Sequence, residues 1–392
     1  MKNIKALHYF SFLNSFRPHW PISVIYFQEI TSSYATVMTI YSIVFLSQAF
    51  LEIPAGVYSD GIGRRRTMII GSIFAFLYIS CYAVGINFWV LAIGALLEGL
   101  ARAFFSGTDS AMLYESLPVE DRGTQFQHYL GRINSMSQLA LCLSAALCSF
   151  LSIYSLKLVL WVSVIPQLLS IVSTLVLYDV EEIKEDQQSL LQILKEAYSQ
   201  FKINAKLRLL ALVETLEFGI GESVFYFQAA FFNLLVPTWA LGLARCLNHL
   251  AGFIGFWFAG GLINRFGARN TLIRGTGLNF FVKMVSVVFA SFLSPFMMGI
   301  SNIIYGPCSA ARGTLLHLEF SDYQRATMGS MVSLSGSILF ACVSTFLGFI
   351  ADIFSPKMAM IVGLSSNLVI IVLYKFIFND VKGNLMNETH IS

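Results

Sequence analysis

A twelve-residue polar motif occurs twice in the chain, at residues 56–67 and again 204 positions later at residues 260–271. Both copies have glycine in the first and eighth places, arginine in the tenth and threonine in the twelfth. Each copy lies between two long apolar segments. A loop repeated at the same place in two halves predicts a chain built by duplication of one helix bundle.

Apolar segments follow one another along the whole chain, which is 56% hydrophobic and 12% charged. Each has about 20 residues or more, enough to cross a hydrocarbon core of ~30 Å. The predicted spans are approximately 6–28, 36–58, 67–86, 89–113, 129–153, 156–178, 208–234, 237–262, 271–291, 294–317, 327–351 and 357–378. They predict an all-α integral membrane protein with 12 transmembrane helices in two six-helix, pseudo-symmetric bundles.

Two further repeats support the duplication: residues 22–28 match 222–228, and 121–124 match 324–327. We expect an N-terminal bundle at 1–178, a cytoplasmic linker with a short amphipathic helix at 179–206, a C-terminal bundle at 207–380 and a cytoplasmic tail at 381–392. Such internal repeats in membrane proteins indicate a transporter with its site between the halves.

The distribution of basic residues predicts the orientation. With both termini inside, 18 Lys and Arg residues lie on the inner side and only Lys157 and Lys357 lie outside. This imbalance predicts cytoplasmic termini, and it explains the net charge of +3 without a nucleic-acid partner. All six cysteines fall within spans without a CxxC pair, so neither a metal site nor a disulfide framework is indicated.

Twelve spans, inside termini, a long central loop and the motif between spans 2 and 3 together resemble the major facilitator superfamily. The motif residues that match that family are Gly56, Asp60, Gly63, Arg64, Arg65 and Arg66, while Gly61 replaces the usual basic residue. The resemblance covers nearly the whole chain but says little about the substrate. Span 5 lacks the Gly-Pro-rich motif of the family's drug–proton antiporters.

The motif is expected to act as a cytoplasmic gate. Gly56 and Gly63 permit a tight turn and close helix approach. Asp60 is expected to meet the positive N-terminal end of span 11, and the arginines can pair with Glu115 at the inner end of span 4. Alternatively, the arginines only anchor the orientation. Because Asn264 replaces Asp60 in the second copy, that loop should latch more weakly.

Ten ionisable residues lie within the spans, where each costs about 2.5–3.5 kcal/mol on insertion scales. Five are positive and five negative, which favours structural pairing of many of them. Eight of the ten fall on spans 1, 4, 7 and 10, which the family resemblance implies line the central cavity. The ten are Arg17, Glu98, Arg102, Asp109, Glu214, Glu217, Glu222, Arg245, Lys283 and Arg312.

Spacing and offset suggest how these charges are arranged. Glu98, Arg102, Phe105 and Asp109 should form one stripe on a continuous helix. Arg17 corresponds to Glu217, and Asp109 to Arg312, so equivalent helices carry opposite charges at equivalent depths.

These residues are the candidates for the transport site, with structural pairing as the alternative. We expect Arg17, Arg102 and Arg312 to bind acidic groups of the substrate or to exchange partners during the cycle. Asp109, Glu217 or Glu222 is expected to carry a proton. Trp20 is expected to stack on a substrate or simply to pack. The substrate and ion candidates are Arg17, Trp20, Glu98, Arg102, Asp109, Glu217, Glu222 and Arg312. Lys283 is left without a role.

No sequence motif indicates an enzyme, a cofactor or an ATP-binding loop. The sequence predicts a secondary transporter for a small polar or amphiphilic organic molecule, such as a siderophore, metabolite or drug-like compound. Proton-coupled export is the first hypothesis and proton-linked uptake of a small organic acid or nutrient is the second. A receptor or lipid-handling protein on the same scaffold is a third. We expect a monomer embedded in lipid in a bacterial inner membrane.

Overall fold

The structure of the protein is a computed structural model that describes residues 2–118, 122–179, 199–319 and 325–388. The described residues form helices joined by short turns, without a strand. The helices of the first half are α1 (Lys2–Ser15), α2 (Ser23–Thr31), α3 (Tyr34–Ile62), α4 (Arg64–Val84), α5 (Phe88–Phe105), α6 (Thr108–Glu115), α7 (Arg122–Ser152) and α8 (Leu156–Leu175).

The second half repeats this plan with longer helices. They are α9 (Ala205–Asn233), α10 (Thr238–Val288), α11 (Ser294–Ile300), α12 (Asn302–Glu319), α13 (Arg325–Ile353) and α14 (Pro356–Glu388). Helix α14 continues well into the segment that the sequence assigns to a cytoplasmic tail. Residues 180–198, most of the predicted linker with its amphipathic helix, lie outside the described part of the chain.

Two compact units make up the chain. Met1–Asp186 and Phe232–Cys246 form the first, and Gln187–Phe231 and Leu247–Ser392 form the second. The domain boundaries drawn from the sequence stay a prediction.

Within the described residues, eight helices are long and apolar enough to cross a membrane. One of them, α10, is 51 residues long and holds two predicted spans, 8 and 9, on either side of a kink at Gly267. The three other predicted spans are 1, 7 and 10. Spans 1 and 10 are interrupted by turns, and span 7 carries three glutamates. The multi-pass, all-helical fold is therefore as the sequence predicts.

Span 1 is broken at Pro18 and Pro21. Helix α1 ends at Ser15, and a short 3-10 turn at Trp20–Ile22 leads into α2. Proline lacks the backbone donor that a continuing helix needs, so the chain turns here.

Span 4 is also broken, which the sequence did not predict. Helix α5 ends at Phe105, and Gly107 adopts φ 74° before α6 begins at Thr108. Glu98 and Arg102 therefore lie on one helix and Asp109 on the next. The expectation of one continuous stripe through these residues is wrong.

The two copies of the repeated motif share one backbone conformation. Gly63 has φ 93° and ψ 147°, and Gly267 has φ 76° and ψ 151°. This region is open essentially to glycine alone. In each copy the hydroxyl of the following threonine donates to the glycine carbonyl, at 3.1 Å for Thr67 and 2.9 Å for Thr271. The duplication is thus visible in the fold of the turn.

Candidate functional site

The first unit holds a buried carboxylate on α5. Glu98 is 5% exposed. Its Oε1 accepts from Arg102 Nη2 at 2.6 Å and Nε at 3.1 Å, one helical turn later. Its Oε2 accepts from the hydroxyl of Tyr82 at 2.8 Å. Both carboxylate oxygens are therefore engaged, by a cation on the same helix and by a phenol on α4.

Aromatic side chains enclose this pair. The Arg102 guanidinium lies 5.4 Å from the centre of the Phe45 ring, and Tyr82 packs edge-on against Tyr78 and Phe27. His19 is buried, and its backbone N–H donates to Ser163 Oγ at 3.1 Å. An apolar enclosure strengthens the ion pair, because it keeps water away.

The other two candidates of span 1 lie at its break. Arg17 donates from Nε to the Asn14 carbonyl at 2.8 Å and from Nη2 to Asn14 Oδ1 at 3.3 Å. Trp20 begins the 3-10 turn and is partly buried. Neither is part of a regular α-helix, so both side chains are positioned by the turn.

Asp109 lies in the first turn of α6 and is exposed. Its Oδ1 accepts from the backbone N–H of Ser110 at 2.7 Å. A carboxylate in this position is favourable beside the N-terminal end of a helix. Asp109 and Glu98 therefore lie on different helices. The position of Asp109 suits it to stabilise the start of α6.

The second unit brings its charges together between helices. Arg312 on α12 is buried at 6% exposure. Its Nε lies 2.5 Å from Glu214 Oε2, and its Nη1 lies 3.3 Å from Glu217 Oε2, both on α9. One guanidinium thus bridges two carboxylates, a geometry suited to its planar fork. The offset that relates Arg312 to Asp109 did not predict these partners.

A cavity of about 220 Å³ opens beside this bridge within the second unit. Its charged lining residues are Glu214, Glu217, Glu222, Lys283 and Arg312. Three carboxylates and two cations leave one negative charge when all are ionised. Amide side chains line it as well, namely Gln228, Asn248, Asn279, Asn302 and Asn367. Aromatic rings of Phe218, Phe225, Phe280 and Tyr305 complete the wall.

Sequence reasoning missed part of this lining. Lys283 had no assigned role, yet it lies at the cavity, within electrostatic reach of Glu217. The amides carry no charge, so the charge pattern of the spans does not reveal them. Their signal was available: Asn279 and Asn302 stand in apolar spans, where an unpaired amide is costly.

The proposed gate motif forms contacts within the first unit. Arg64 Nε lies 3.4 Å from Glu115 Oε1, the partner that the sequence predicts, and Nη1 donates to Ser59 Oγ at 3.0 Å. Arg65 turns elsewhere, to the Leu175 carbonyl at 3.2 Å and the Asp179 carboxylate at 3.5 Å.

The structure describes only part of the remaining motif. Arg66 is exposed, and the side chain of Asp60 lies outside the described part of the chain. Gly56 sits inside α3, where an added Cβ would meet nothing within 4 Å among the described residues. The close helix approach expected at Gly56 stays a prediction.

The family follows from a comparison of the whole sequence. A family model described as Major Facilitator Superfamily matches residues 6–316. The chain belongs to the major facilitator superfamily. As a superfamily member it is a multi-pass membrane transporter and not an enzyme. No curated protein matches it in sequence.

Solved superfamily structures share the fold over nearly the whole chain. A bacterial homologue of the human lysosomal transporter Spinster is 15% identical with a TM-score of 0.75, covering 96% of each chain. The nucleoside transporter NupG is 14% identical with a TM-score of 0.79, covering 96% of this chain and 100% of its own. The E. coli fucose:proton symporter FucP is 14% identical with a TM-score of 0.59, covering 96% and 99%.

Proposed function

We propose that the chain is a proton-coupled secondary transporter of a small polar organic molecule, working by alternating access in a bacterial inner membrane. The observation that carries this proposal is the bridge from the buried Arg312 to the partly buried Glu214 and Glu217 at the edge of a cavity. A buried charge pair beside a cavity is a device that a proton or a substrate can open.

Glu217 is the proton carrier in this proposal. One arginine compensates one carboxylate, and Glu214 takes the shorter contact, 2.5 Å against 3.3 Å for Glu217. A second, partly buried carboxylate that shares the cation of the first is destabilising, and a bound proton removes that cost. Of the three carboxylates that the sequence nominates, Glu222 shares the cavity and Asp109 is exposed on α6.

The cargo in this proposal is metabolite-sized. The cavity volume of about 220 Å³ lies below the roughly 300–1,000 Å³ typical of drug-sized ligand pockets. This supports a small metabolite over a siderophore or a drug among the predicted substrates.

Export is the first direction, favoured by the short loops between spans. Proton-linked uptake of a small organic acid or nutrient is the second candidate, and the likeness in fold to a fucose:proton symporter is compatible with it. Comparing metabolites inside and outside a deletion strain separates them. A compound that accumulates inside indicates export, and a compound that is no longer taken up indicates import. The same comparison identifies the substrate.

The coupling is tested with that substrate in proteoliposomes under an imposed pH gradient. Glu217→Gln should abolish proton-driven accumulation while leaving substrate exchange at equal pH, because it mimics the protonated carboxyl. Glu29→Gln, at an exposed carboxylate on α2, is the matched control and should retain accumulation. Full proton-driven accumulation by a folded Glu217→Gln variant would remove Glu217 as the carrier. If Glu222→Gln and Asp109→Asn also keep it, proton coupling through these carboxylates is wrong.

A further inference from the structure

Five amide side chains line the cavity of the second unit in addition to its charged residues. We infer that it recognises a neutral, polyhydroxylated ring compound, in the class of free sugars and nucleosides. This inference rests on the proposed function and specifies the cargo of that same cavity. Five amides carry it, those of Gln228, Asn248, Asn279, Asn302 and Asn367.

The amides lie where a ligand can reach them, and two are already oriented. Asn302 Nδ2 donates to Asn248 Oδ1 at 3.1 Å and to its carbonyl at 3.3 Å, which joins α12 to α10. Asn279 Oδ1 is buried and accepts no hydrogen bond from the described residues. A buried acceptor without a donor is destabilising, so this atom calls for an N–H or O–H group from a ligand or water.

Neutral hydroxyl groups match this lining better than charged groups do. An amide both donates and accepts, as does a hydroxyl group. Three of the five charged side chains, by contrast, are engaged with one another, since Arg312 holds Glu214 and Glu217. A charged ligand that binds to these three would have to displace one partner, whereas a polyhydroxylated ligand can bind without breaking the bridge.

Aromatic side chains favour a ring over a linear polyol. Phe218, Phe225 and Phe280 line the same cavity, together with Tyr305. Their faces provide flat apolar surfaces. A sugar or nucleoside ring presents one such flat surface and an edge of hydroxyl groups, so a cavity with both amides and rings suits it.

The first unit shows that the fold does not require this polar lining. At the offset of the repeated motif, 204 residues, Thr276, Asn279 and Lys283 correspond to Ser72, Ala75 and Ile79. All three of these first-unit residues are fully buried. The second unit places an amide and an amine where the first unit has apolar packing, so the polar lining at these positions belongs to the second unit alone.

The test uses the purified full-length protein and a panel of named probes. Uridine, adenosine, L-fucose and D-glucose represent the ring class, while citrate and putrescine represent small anions and cations. Equilibrium dialysis with labelled probes should show saturable binding of at least one ring compound, at least tenfold tighter than citrate and putrescine. The sugars and the nucleosides are separate arms, so the result also chooses between them.

Variants then assign the binding to the cavity. Asn279→Leu should weaken ring binding at least tenfold, and Asn279→Ala serves where the larger residue prevents folding. Asn270→Leu is the control, since this exposed amide bonds the Phe266 carbonyl of its own helix. Preferential binding of citrate or putrescine, or equal ring binding by the Asn279 and Asn270 variants, overturns the inference.

The two proposals fail in different ways. Proton-driven transport of a compound outside the ring class, with no ring compound bound, overturns the substrate class and leaves the proposed function standing. Ring binding that Asn279→Leu weakens, without any effect of a pH gradient on transport, supports the substrate class and overturns the proton coupling.

Discussion

Each unit buries an arginine with glutamate, but the two clusters connect different parts of the fold. In the first, Glu98 and Arg102 lie one turn apart on the same helix, and Tyr82 completes the pair. In the second, Arg312 reaches from α12 to two carboxylates on α9 beside a cavity. A pair within one helix moves with it as a body, whereas a bridge between helices changes whenever the helices or their charges change. We therefore expect the second cluster to respond more readily than the first to a change of charge or of helix packing.

The largest expected effect comes from removing the bridging cation. Arg312→Met leaves two carboxylates facing each other inside the second unit, and breaking a buried pair costs about 3–5 kcal/mol. Arg102→Met should cost less, because Glu98 keeps the Tyr82 hydrogen bond and the field of Arg17. Thermal unfolding of the purified variants in detergent measures both.

Arg265→Met is the control for the loss of a positive charge, since Arg265 is exposed. It should unfold like the parent protein. An Arg102→Met variant that is less stable than Arg312→Met would reverse the ranking of the two clusters, and would place the greater electrostatic demand on the first unit.

Local sequence signals predicted part of this arrangement. The breaks at Pro18 and Gly63 and the partner of Arg64 follow from residue types whose backbone or charge preferences are strong. The break between Phe105 and Thr108 was hidden, because the apolar pattern continues across it. The partners of Arg312 were hidden too. The repeat relates equivalent positions of the two halves, whereas an ion pair depends on which helices pack together within one half.

Substitution of the turn glycines should cause a loss of stability of intermediate size, and the loss should be the same in both copies of the motif. Gly63→Ala and Gly267→Ala each force a Cβ into a backbone region nearly exclusive to glycine, at a cost of about 1–3 kcal/mol. The backbone angles of the two turns nearly coincide, so the two losses should be equal within error. Thermal unfolding of the two variants side by side measures this.

Gly56→Ala is the matched control, because Gly56 is helical and has open space around its Cα. Alanine there should be neutral or stabilise by about 0.5–1 kcal/mol. A loss at Gly267 much below that at Gly63 would mean that the second turn relaxes, and that the two copies share a sequence pattern but not a constraint.

The smallest expected effect concerns the residue directly after each turn glycine. Arg64 ties the start of α4 to Ser59 on α3 and to Glu115 on α6, while the corresponding residue of the second copy is Ala268. The sequence predicted a weaker second latch from Asn264, and the contacts of Arg64 add a second source of the same asymmetry. Arg64→Ala should cost about 0.5–1.5 kcal/mol, the net contribution of a hydrogen bond, because the contact to Glu115 is long at 3.4 Å.

Hydrogen exchange over the first turn of α4 and the segment after Gly267 is the sensitive measurement, because it reports local opening free energies. Arg64→Ala should raise exchange at residues 64–68 towards the level at 268–272, and Ala268→Arg should change neither. If Arg64→Ala leaves exchange at residues 64–68 unchanged, the ion pair does not hold the turn. The difference between the copies would then rest on Asp60 and Asn264, where Asp60→Asn makes the first loop match the second at that position.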